Sequence, residues 1–157
     1  MNKLSAGLLL YNLSQQPGIK VFLVHPGGPF FKNKDEMVWS LPKGEYVEGE
    51  DPLLAAKREF KEETGNDAPE GTYVALQPLR IKSGKVIAAW AIQAEPTIDF
   101  VKSNLFEMEW PPKSGRRQEF AEVDKAQWFT LQEAKRKINS GQVAFLEQLE
   151  ELIRTVH

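Results

Sequence analysis

Three glutamates, Glu59, Glu62 and Glu63, follow one another at intervals of three and one residues in a stretch without a helix breaker, residues 53–64. Wound as a helix at about 100° per residue, that stretch puts Ala55, Glu59, Glu62 and Glu63 on one face and Leu53, Ala56 and Phe60 on the neighbouring apolar one. Carboxylates at such spacing repel by roughly a few tenths of a kcal/mol when exposed. They also occupy the C-terminal half of the helix, where the macrodipole disfavours negative charge. A solvated acidic face is the plainer reading of these residues. A hard divalent cation such as magnesium, which takes oxygen ligands, is the reading in which the repulsion is offset.

The helix that would hold them is marked at both ends. Asp51 is a good N-cap, Pro52 suits the first helical position and Gly65 supplies a left-handed stop. Two apolar runs, residues 4–13 and 19–25, flank the turn cluster Ser14-Gln15-Gln16-Pro17-Gly18 and predict a buried opening hairpin. His25-Pro26-Gly27-Gly28-Pro29 stops the second run, and residues 32–36 form a loop. A short strand is expected at 37–41, ending at Pro42. Further strands are expected at 72–79 and 85–95 around a Ser83-Gly84 turn, at 105–109, and at 126–129, with 111–115 a loop. Thr130 can cap a helix over 131–138. Ser140-Gly141 breaks it, and 143–156 forms a last amphipathic helix with Phe145, Leu146, Leu149, Leu152 and Ile153 apolar.

At 157 residues the chain suits a single domain, 1–157, with no linker or repeat to divide it. Hydrophobic residues are 41% and charged residues 27%, which is ordinary globular usage and excludes disorder as the default. A net charge of −2 offers no broad footprint for nucleic acid or anionic membrane. Without cysteine the chain has no disulfide and no thiolate metal site. That composition suits a reducing compartment, and no apolar run approaches the roughly 18 residues of a membrane span. A soluble cytoplasmic protein is expected. The mixture of strands and helices without strict alternation suggests an α/β or mixed α+β layer structure, with helices packed on a mixed sheet.

The wider spacing sharpens the acidic helix into a motif. Gly44 is followed by five residues and Glu50, then by seven more and Arg58-Glu59-Phe60-Lys61-Glu62-Glu63-Thr64-Gly65. This resembles the Nudix box, Gly-x5-Glu-x7-Arg-Glu-U-x-Glu-Glu-x-Gly-U, where U is a bulky apolar residue. All of Gly44, Glu50, Arg58, Glu59, Glu62, Glu63 and Gly65 match, and Phe60 satisfies the first apolar position. Asn66 departs from the second, which touches packing after the helix and leaves every candidate ligand in place. At about one chance in 15 per position, the seven fixed matches arise roughly once in 10⁸ windows. The lead-in Trp39-Ser40-Leu41-Pro42-Lys43-Gly44-Glu45 is similar to that of several Nudix subgroups. Residues 25–29, together with 119–124 and Trp128-Phe129, resemble a bacterial group of predicted nucleoside triphosphate pyrophosphohydrolases.

The resemblance implies an α/β/α sandwich with a mixed central sheet. It also implies a hydrolase that cleaves a phosphoanhydride bond in a nucleoside triphosphate, dinucleoside polyphosphate or nucleotide sugar, using Mg2+, for which Mn2+ can substitute. Glu59, Glu62 and Glu63 would bind the cation, with the backbone of Gly44 close to it. Arg58 would hold a carboxylate in place, anchored by Glu50. Lys43 is a candidate for neutralising substrate phosphate, or a surface lysine. Glu119 and Glu122 are candidates for a further ligand or base from outside the box, or are solvated loop acids; Glu63 is the other candidate base. Arg116 and Arg117 could grip phosphate or face water. Trp39 and Trp90 read as core before base-stacking residues, His25 as a strand-end residue, and Gly27-Gly28 as a turn before a phosphate loop. Two alternatives remain in view. An RNA 5′-end pyrophosphohydrolase would need Lys32, Lys34, Lys113, Arg116 and Arg117 to converge. A non-catalytic nucleotide-binding module of the same fold is disfavoured by the full carboxylate set. A homodimer is compatible with the apolar helices of residues 131–156.

Overall fold

The computed structural model describes residues 3–13 and 18–156. Its elements, in chain order, begin with β1 (Leu4–Asn12), β2 (Lys20–Pro26), β3 (Lys43–Tyr46) and α1 (Pro52–Thr64). They continue with β4 (Val74–Ala75), β5 (Leu79–Arg80), β6 (Val86–Gln93), β7 (Leu105–Glu109), β8 (Arg117–Ala121) and β9 (Val123–Thr130). The chain closes with α2 (Leu131–Lys137), a 3-10 turn (Ser140–Gln142) and α3 (Val143–Val156).

β1 is the strand around which the sheet is organised. It runs parallel to β6 from Leu4 beside Val86 to Tyr11 beside Gln93. Its other edge is shared: β3 pairs antiparallel with Leu4–Gly7, and β2 pairs antiparallel at Tyr11 and Asn12. β2 then pairs along its length with β9, giving the order β4-β6-β1-β2-β9, with β5 sharing the edge of β6. β7 and β8 form a separate two-stranded hairpin. Side chains of β1 alternate between two apolar layers. Ala6, Leu8 and Leu10 join Phe22, Ile92 and the Ala55, Ala56 and Phe60 face of α1. Leu9 and Tyr11 join Val21, Leu23, Trp39, Phe129 and the Phe145, Leu146 and Leu149 face of α3, with Leu131 and Ala134 of α2. The sheet is therefore covered on both sides, which explains why β1 reads as an unbroken apolar run. The result is the expected α/β/α sandwich on a mixed sheet.

Several elements form as the residues dictate. The Asp51 carboxylate accepts the Leu54 N–H at 3.2 Å, Pro52 opens the helix, and Gly65 closes it at φ 80°, donating its N–H to the Lys61 carbonyl. Thr130 and Glu133 form a capping box, with Leu131 the first residue of α2. Asn66, the one departure from the family pattern, makes polar use of its position. Its amide donates to the Asp99 carbonyl at 2.6 Å and so ties the helix end to the segment that follows β6.

Other elements differ from the sequence reading. The strand expected at 37–41 is absent: Met37 is exposed with φ 62°, and only Trp39 and Ser40 make isolated bridges. The strand that pairs with β1 lies beyond Pro42 instead. The expected strand at 72–79 is broken into β4 and β5, two residues each. β8 was not expected, because Arg117-Gln118-Glu119-Phe120-Ala121 shows little apolar alternation; its pairing with β7 makes a strand of it. β9 is longer than 126–129. The Ser14–Pro17 part of the expected first turn lies outside the described residues. Among the described residues no helix is long and apolar enough to cross a membrane.

Because β1 and β2 touch only near Tyr11 and Asn12, a wedge opens between them. Residues 40–42 fill it: Ser40 exchanges backbone hydrogen bonds with Val24 at 2.9 and 3.0 Å, and the Leu8 N–H donates to the Pro42 carbonyl at 3.2 Å. This places Lys43 and Gly44 against the C-terminal half of α1. Phe60, wholly buried and 6.4 Å from the Phe22 ring, holds α1 on the sheet at this point. Phe60→Ala is expected to cost about 3–5 kcal/mol in denaturant unfolding. Leu54→Ala, on the 61% exposed face of the same helix, should stay within about 0.5 kcal/mol.

Candidate active site

Gly44 meets α1 so closely that a Cβ on it would lie 1.7 Å from Glu59 Oε1. Any larger residue would push the Glu59 side chain, 9% exposed, out of its present place. Arg58 collects the surrounding acids. Its guanidinium donates to Glu50, to Glu59 Oε2 at 3.1 Å and to the Glu45 carbonyl at 3.4 Å, and it lies 3.9 Å from Glu62 Oε1. The Glu59 carboxylate beside it holds the guanidinium above its ordinary pKa. On the inner side of the helix, Glu63 Oε1 accepts the Lys43 N–H at 3.2 Å.

A fourth carboxylate comes from outside the helix. Glu122, between β8 and β9, is fixed by its backbone: its N–H donates to the Asn104 carbonyl at 2.8 Å, and its carbonyl accepts the Gly27 N–H at 2.9 Å. Asn104 in turn donates its N–H to the Glu62 carbonyl at 2.8 Å. Gly27 is required because a Cβ there would lie 1.9 Å from the Ala121 carbonyl oxygen. The Gly27-Gly28 pair is thus a packing device for the hairpin, since Gly28 abuts Phe106.

Glu59, Glu62 and Glu122 line a cavity of about 420 Å3, together with Gly44, Lys43 and Lys85. Ser5, Glu45 and Asn104 complete the wall. A smaller cavity of about 160 Å3 shares Lys43 and Glu122 and adds Glu63, Ser40 and the apolar Val24, Pro26 and Val123. The electrostatics follow from crowding and burial. Burial pushes Glu63 up to about 8 against the pull of the Lys43 N–H and ammonium, and the charges of Glu122 and Glu59 add to the rise. Burial also raises Glu59, with Glu62 adding to it, and raises Glu122, again with Glu62 adding. Burial lowers Lys43, and the nearby Lys85 charge lowers it further.

Such a set of oxygen donors, crowded together and reluctant to ionise, fits a hard divalent cation in chemistry. The Gly44 cradle leaves backbone open to the same space. Among the described residues no three acidic or histidine side chains stand at metal-holding geometry; the Arg58 guanidinium is paired with Glu59 at 3.1 Å.

Of the residues singled out from sequence, Lys43, Gly44, Glu59, Glu62, Glu63 and Glu122 are brought together here, with Arg58 at their back. Glu119 is not: it is exposed on β8 opposite Glu107 and lines neither cavity. Arg117 is paired with Glu107. Lys32, Lys34, Lys113 and Arg116 line neither cavity. Trp39 is core, edge-on to Phe129 at 4.8 Å, and Trp90 packs half-buried in the α1-side layer. His25 is buried at the strand end, between Asp124 at 2.8 Å and the Lys34 carbonyl at 2.6 Å. Ser5, Lys85 and Asn104 were not singled out; a lone serine in an apolar strand was the one available signal.

Fold and motif together define an α/β/α domain of the Nudix type with a carboxylate-lined cavity. The chain belongs to the NUDIX domain family, whose model matches residues 1–149. As such it is a pyrophosphohydrolase, of a family acting on nucleoside diphosphate derivatives. No curated protein matches it. Among solved structures it is similar to a C. elegans Ap4A hydrolase in a binary complex (22% identity, 96% of this chain and 98% of that one, TM-score 0.65). It is also similar to a mutT/nudix family protein from Listeria innocua (14%, 98% and 94%, TM-score 0.64). A third is the NUDIX domain of Shewanella oneidensis NrtR, complexed with ADP ribose (17%, 98% and 89%, TM-score 0.62). At these identities the likeness is one of fold.

The raised Glu63 has a consequence for the metal-free protein. The folded chain keeps a proton that the unfolded chain releases near 4.5, so stability falls as the pH rises from about 4.5 to about 8. Thermal unfolding in chelator is expected to show that decline, and Glu63→Gln to flatten it. Identical pH profiles for the two proteins would contradict the buried, protonated carboxyl.

Proposed function

We propose that the chain hydrolyses a phosphoanhydride bond in a nucleotide, with Mg2+ as its cation and Mn2+ able to substitute. The observation that supports this best is the convergence of Glu59, Glu62, Glu63 and Glu122 with Gly44 and Lys43 on adjoining cavities. Glu59, Glu62 and Glu63 would hold the cation, with the Gly44 carbonyl as a further donor. When bound, the cation lowers the pKa of water, orients the phosphates and neutralises the leaving phosphate.

The rest is the work of the chain's own residues. Arg58 orients Glu59 through a charge-assisted hydrogen bond, stands 3.9 Å from Glu62 as an ion pair, and is itself held by Glu50. Lys43 offers its ammonium to substrate phosphate. In the reaction, the oxygen of water bonds to one phosphorus and the bridging P–O bond breaks. The bridging oxygen leaves with the electron pair, and the water proton passes to a carboxylate. Burial keeps Glu63 protonated up to about pH 8 in the metal-free chain; the positive charge of a bound cation would favour its ionised form, in which it could accept that proton. Glu122 takes the place that either loop acid could have filled, since Glu119 lines neither cavity. The Ap4A hydrolase and the ADP ribose complex among the similar folds support a nucleotide substrate. The basic residues an RNA 5′ end would require do not line the cavities, and the intact carboxylate set supports catalysis over mere binding.

Purified protein with Mg2+ and a panel of nucleoside triphosphates, dinucleoside polyphosphates and nucleotide sugars, read by ³¹P NMR, should show turnover of at least one class. Glu62→Gln should lower kcat roughly 10²–10³-fold, the scale of losing one preorganised electrostatic group. Turnover by that variant at the wild-type rate would sink the assignment.

A further inference from the structure

Residues 37–42, which carry the chain to Gly44, form no regular strand, and their backbone is held from two sides. Toward the sheet, Ser40 bonds to Val24 of β2 and the Pro42 carbonyl to Leu8 of β1. Toward the C-terminal helices, the Met37 N–H donates to the Arg136 carbonyl at 3.3 Å and the Trp39 N–H to the Lys137 carbonyl at 3.0 Å. The Trp39 carbonyl accepts the Asn139 N–H at 2.8 Å. At Leu41, which is wholly buried, a side chain takes over from this ladder, because the chain beyond Asn139 has turned into the 3-10 helix. Gln142, 4% exposed, accepts the Leu41 N–H on Oε1 at 3.1 Å and donates from Nε2 to Ser40 Oγ at 3.1 Å. The Ser40 hydroxyl donates in turn to the Leu41 carbonyl at 2.7 Å. One buried amide thus closes a ring of three hydrogen bonds around the Leu41 backbone.

We propose that Gln142 is a positioning residue for the active site: from the junction of the C-terminal helices it fixes the backbone of Lys43 and Gly44 against α1. The inference rests on the hydrolase reading above and adds to it a residue that lines neither cavity. The path from Gln142 to the site is short. It grips Ser40 and Leu41, Pro42 follows, and Lys43 and Gly44 come next. Ser40 itself lines the smaller cavity with Glu63 and Glu122. Tolerances there are small. The Lys43 N–H stands 3.2 Å from Glu63 Oε1, already at the long end of such bonds, so a slight retreat breaks it. Gly44 leaves less than a methyl group's room before Glu59. Without the Gln142 amide the Leu41 N–H becomes a buried donor with no acceptor, which the segment can relieve only by shifting toward water or another partner. Either shift carries Lys43 and Gly44 with it. The same helix offers a tie of the same kind that does not lead to the site. Gln148 accepts the Gln77 N–H at 2.6 Å and donates to the Gln77 carbonyl at 3.1 Å, and neither residue lines either cavity.

The test compares the full chain as wild type, Gln142→Met, Gln142→Glu and Gln148→Met. Amide exchange is read by NMR on the metal-free protein, Mn2+ affinity by electron paramagnetic resonance, and kcat and KM on the substrate that wild type turns over best. In Gln142→Met the Leu41 and Lys43 amides should exchange at least about tenfold faster than in wild type. Mn2+ should bind more weakly, and kcat should fall roughly 10–100-fold with KM little changed, the scale of a small misplacement at a catalytic centre. Gln142→Glu should lie nearer wild type on every readout, because a carboxyl still accepts the Leu41 N–H. Gln148→Met should lower the unfolding temperature and leave the Lys43 amide, Mn2+ affinity and kcat unchanged. Should Gln142→Met fail to fold, Gln142→Asn, one methylene short of Leu41, takes its place in the comparison. A merely structural Gln142 would behave as Gln148 does. Faster exchange confined to Leu41, or wild-type kcat in Gln142→Met, overturns the proposal. A wild type that turns over nothing refutes the hydrolase reading, whereas exchange at Lys43 still decides for or against Gln142, so the two failures are distinguishable.

Discussion

Keeping several carboxylates around one small space is the constraint on which the rest of this structure depends. Burial and mutual repulsion each oppose ionisation of Glu59, Glu63 and Glu122, and the chain must carry that cost until an ion relieves it. Arg58 is the internal answer. Planar and always charged, it reaches Glu50 and Glu59 and approaches Glu62 from one position on α1. A lysine could neutralise one of these acids but could not present a rigid fork to several. The apolar anchoring of α1 by Ala55, Ala56 and Phe60 then prevents the helix from rotating or lifting to spread its acids.

The sheet makes room for this by failing to be regular. If β1 and β2 paired along their whole length, no backbone could enter between them. Their divergence after Tyr11 and Asn12 admits residues 40–42, and Pro42, with no N–H to satisfy, ends that insertion where Lys43 and Gly44 must turn toward α1. The missing side chain of Gly44 brings backbone against Glu59, and the Lys43 N–H reaches Glu63. The hairpin of β7 and β8 closes the arrangement. Its base is hydrogen-bonded in series from the Glu62 carbonyl through Asn104 and Glu122 to Gly27, so the acid from outside the helix is registered to the helix itself.

Much of this could be read from the residues alone, for reasons that are local. Asp51, Pro52 and Gly65 bound α1 within the sequence that forms it, and the 3.6-residue period separates its acidic and apolar faces. Thr130 and Glu133 do the same for α2. What was not readable depended on distant partners. Residues 37–41 carry an apolar pattern, yet the backbone they meet, at Val24 and Ile138, offers single bridges and not a ladder. Residues 117–121 carry almost no pattern, yet β7 is available to pair with them. Glu119 and Glu122 are indistinguishable as sequence; the backbone bonds of Glu122 to Asn104 and Gly27 put one acid at the cavity and leave the other on an exposed strand.

The same division separates the family's chemistry from its selectivity. The residues that would hold a cation lie within residues 44–63, on a loop and a helix that pack against each other, so their geometry is fixed by a short stretch and survives as a motif. The rest of the cavity wall is assembled from β1, the start of β6, the entry to β7 and the β8–β9 junction, that is, Ser5, Lys85, Asn104 and Glu122. No spacing rule connects these four, because nothing but the tertiary fold brings them together. A wall built in this way is set by tertiary pairing alone, while the acidic helix keeps a pattern fixed within one short stretch of sequence.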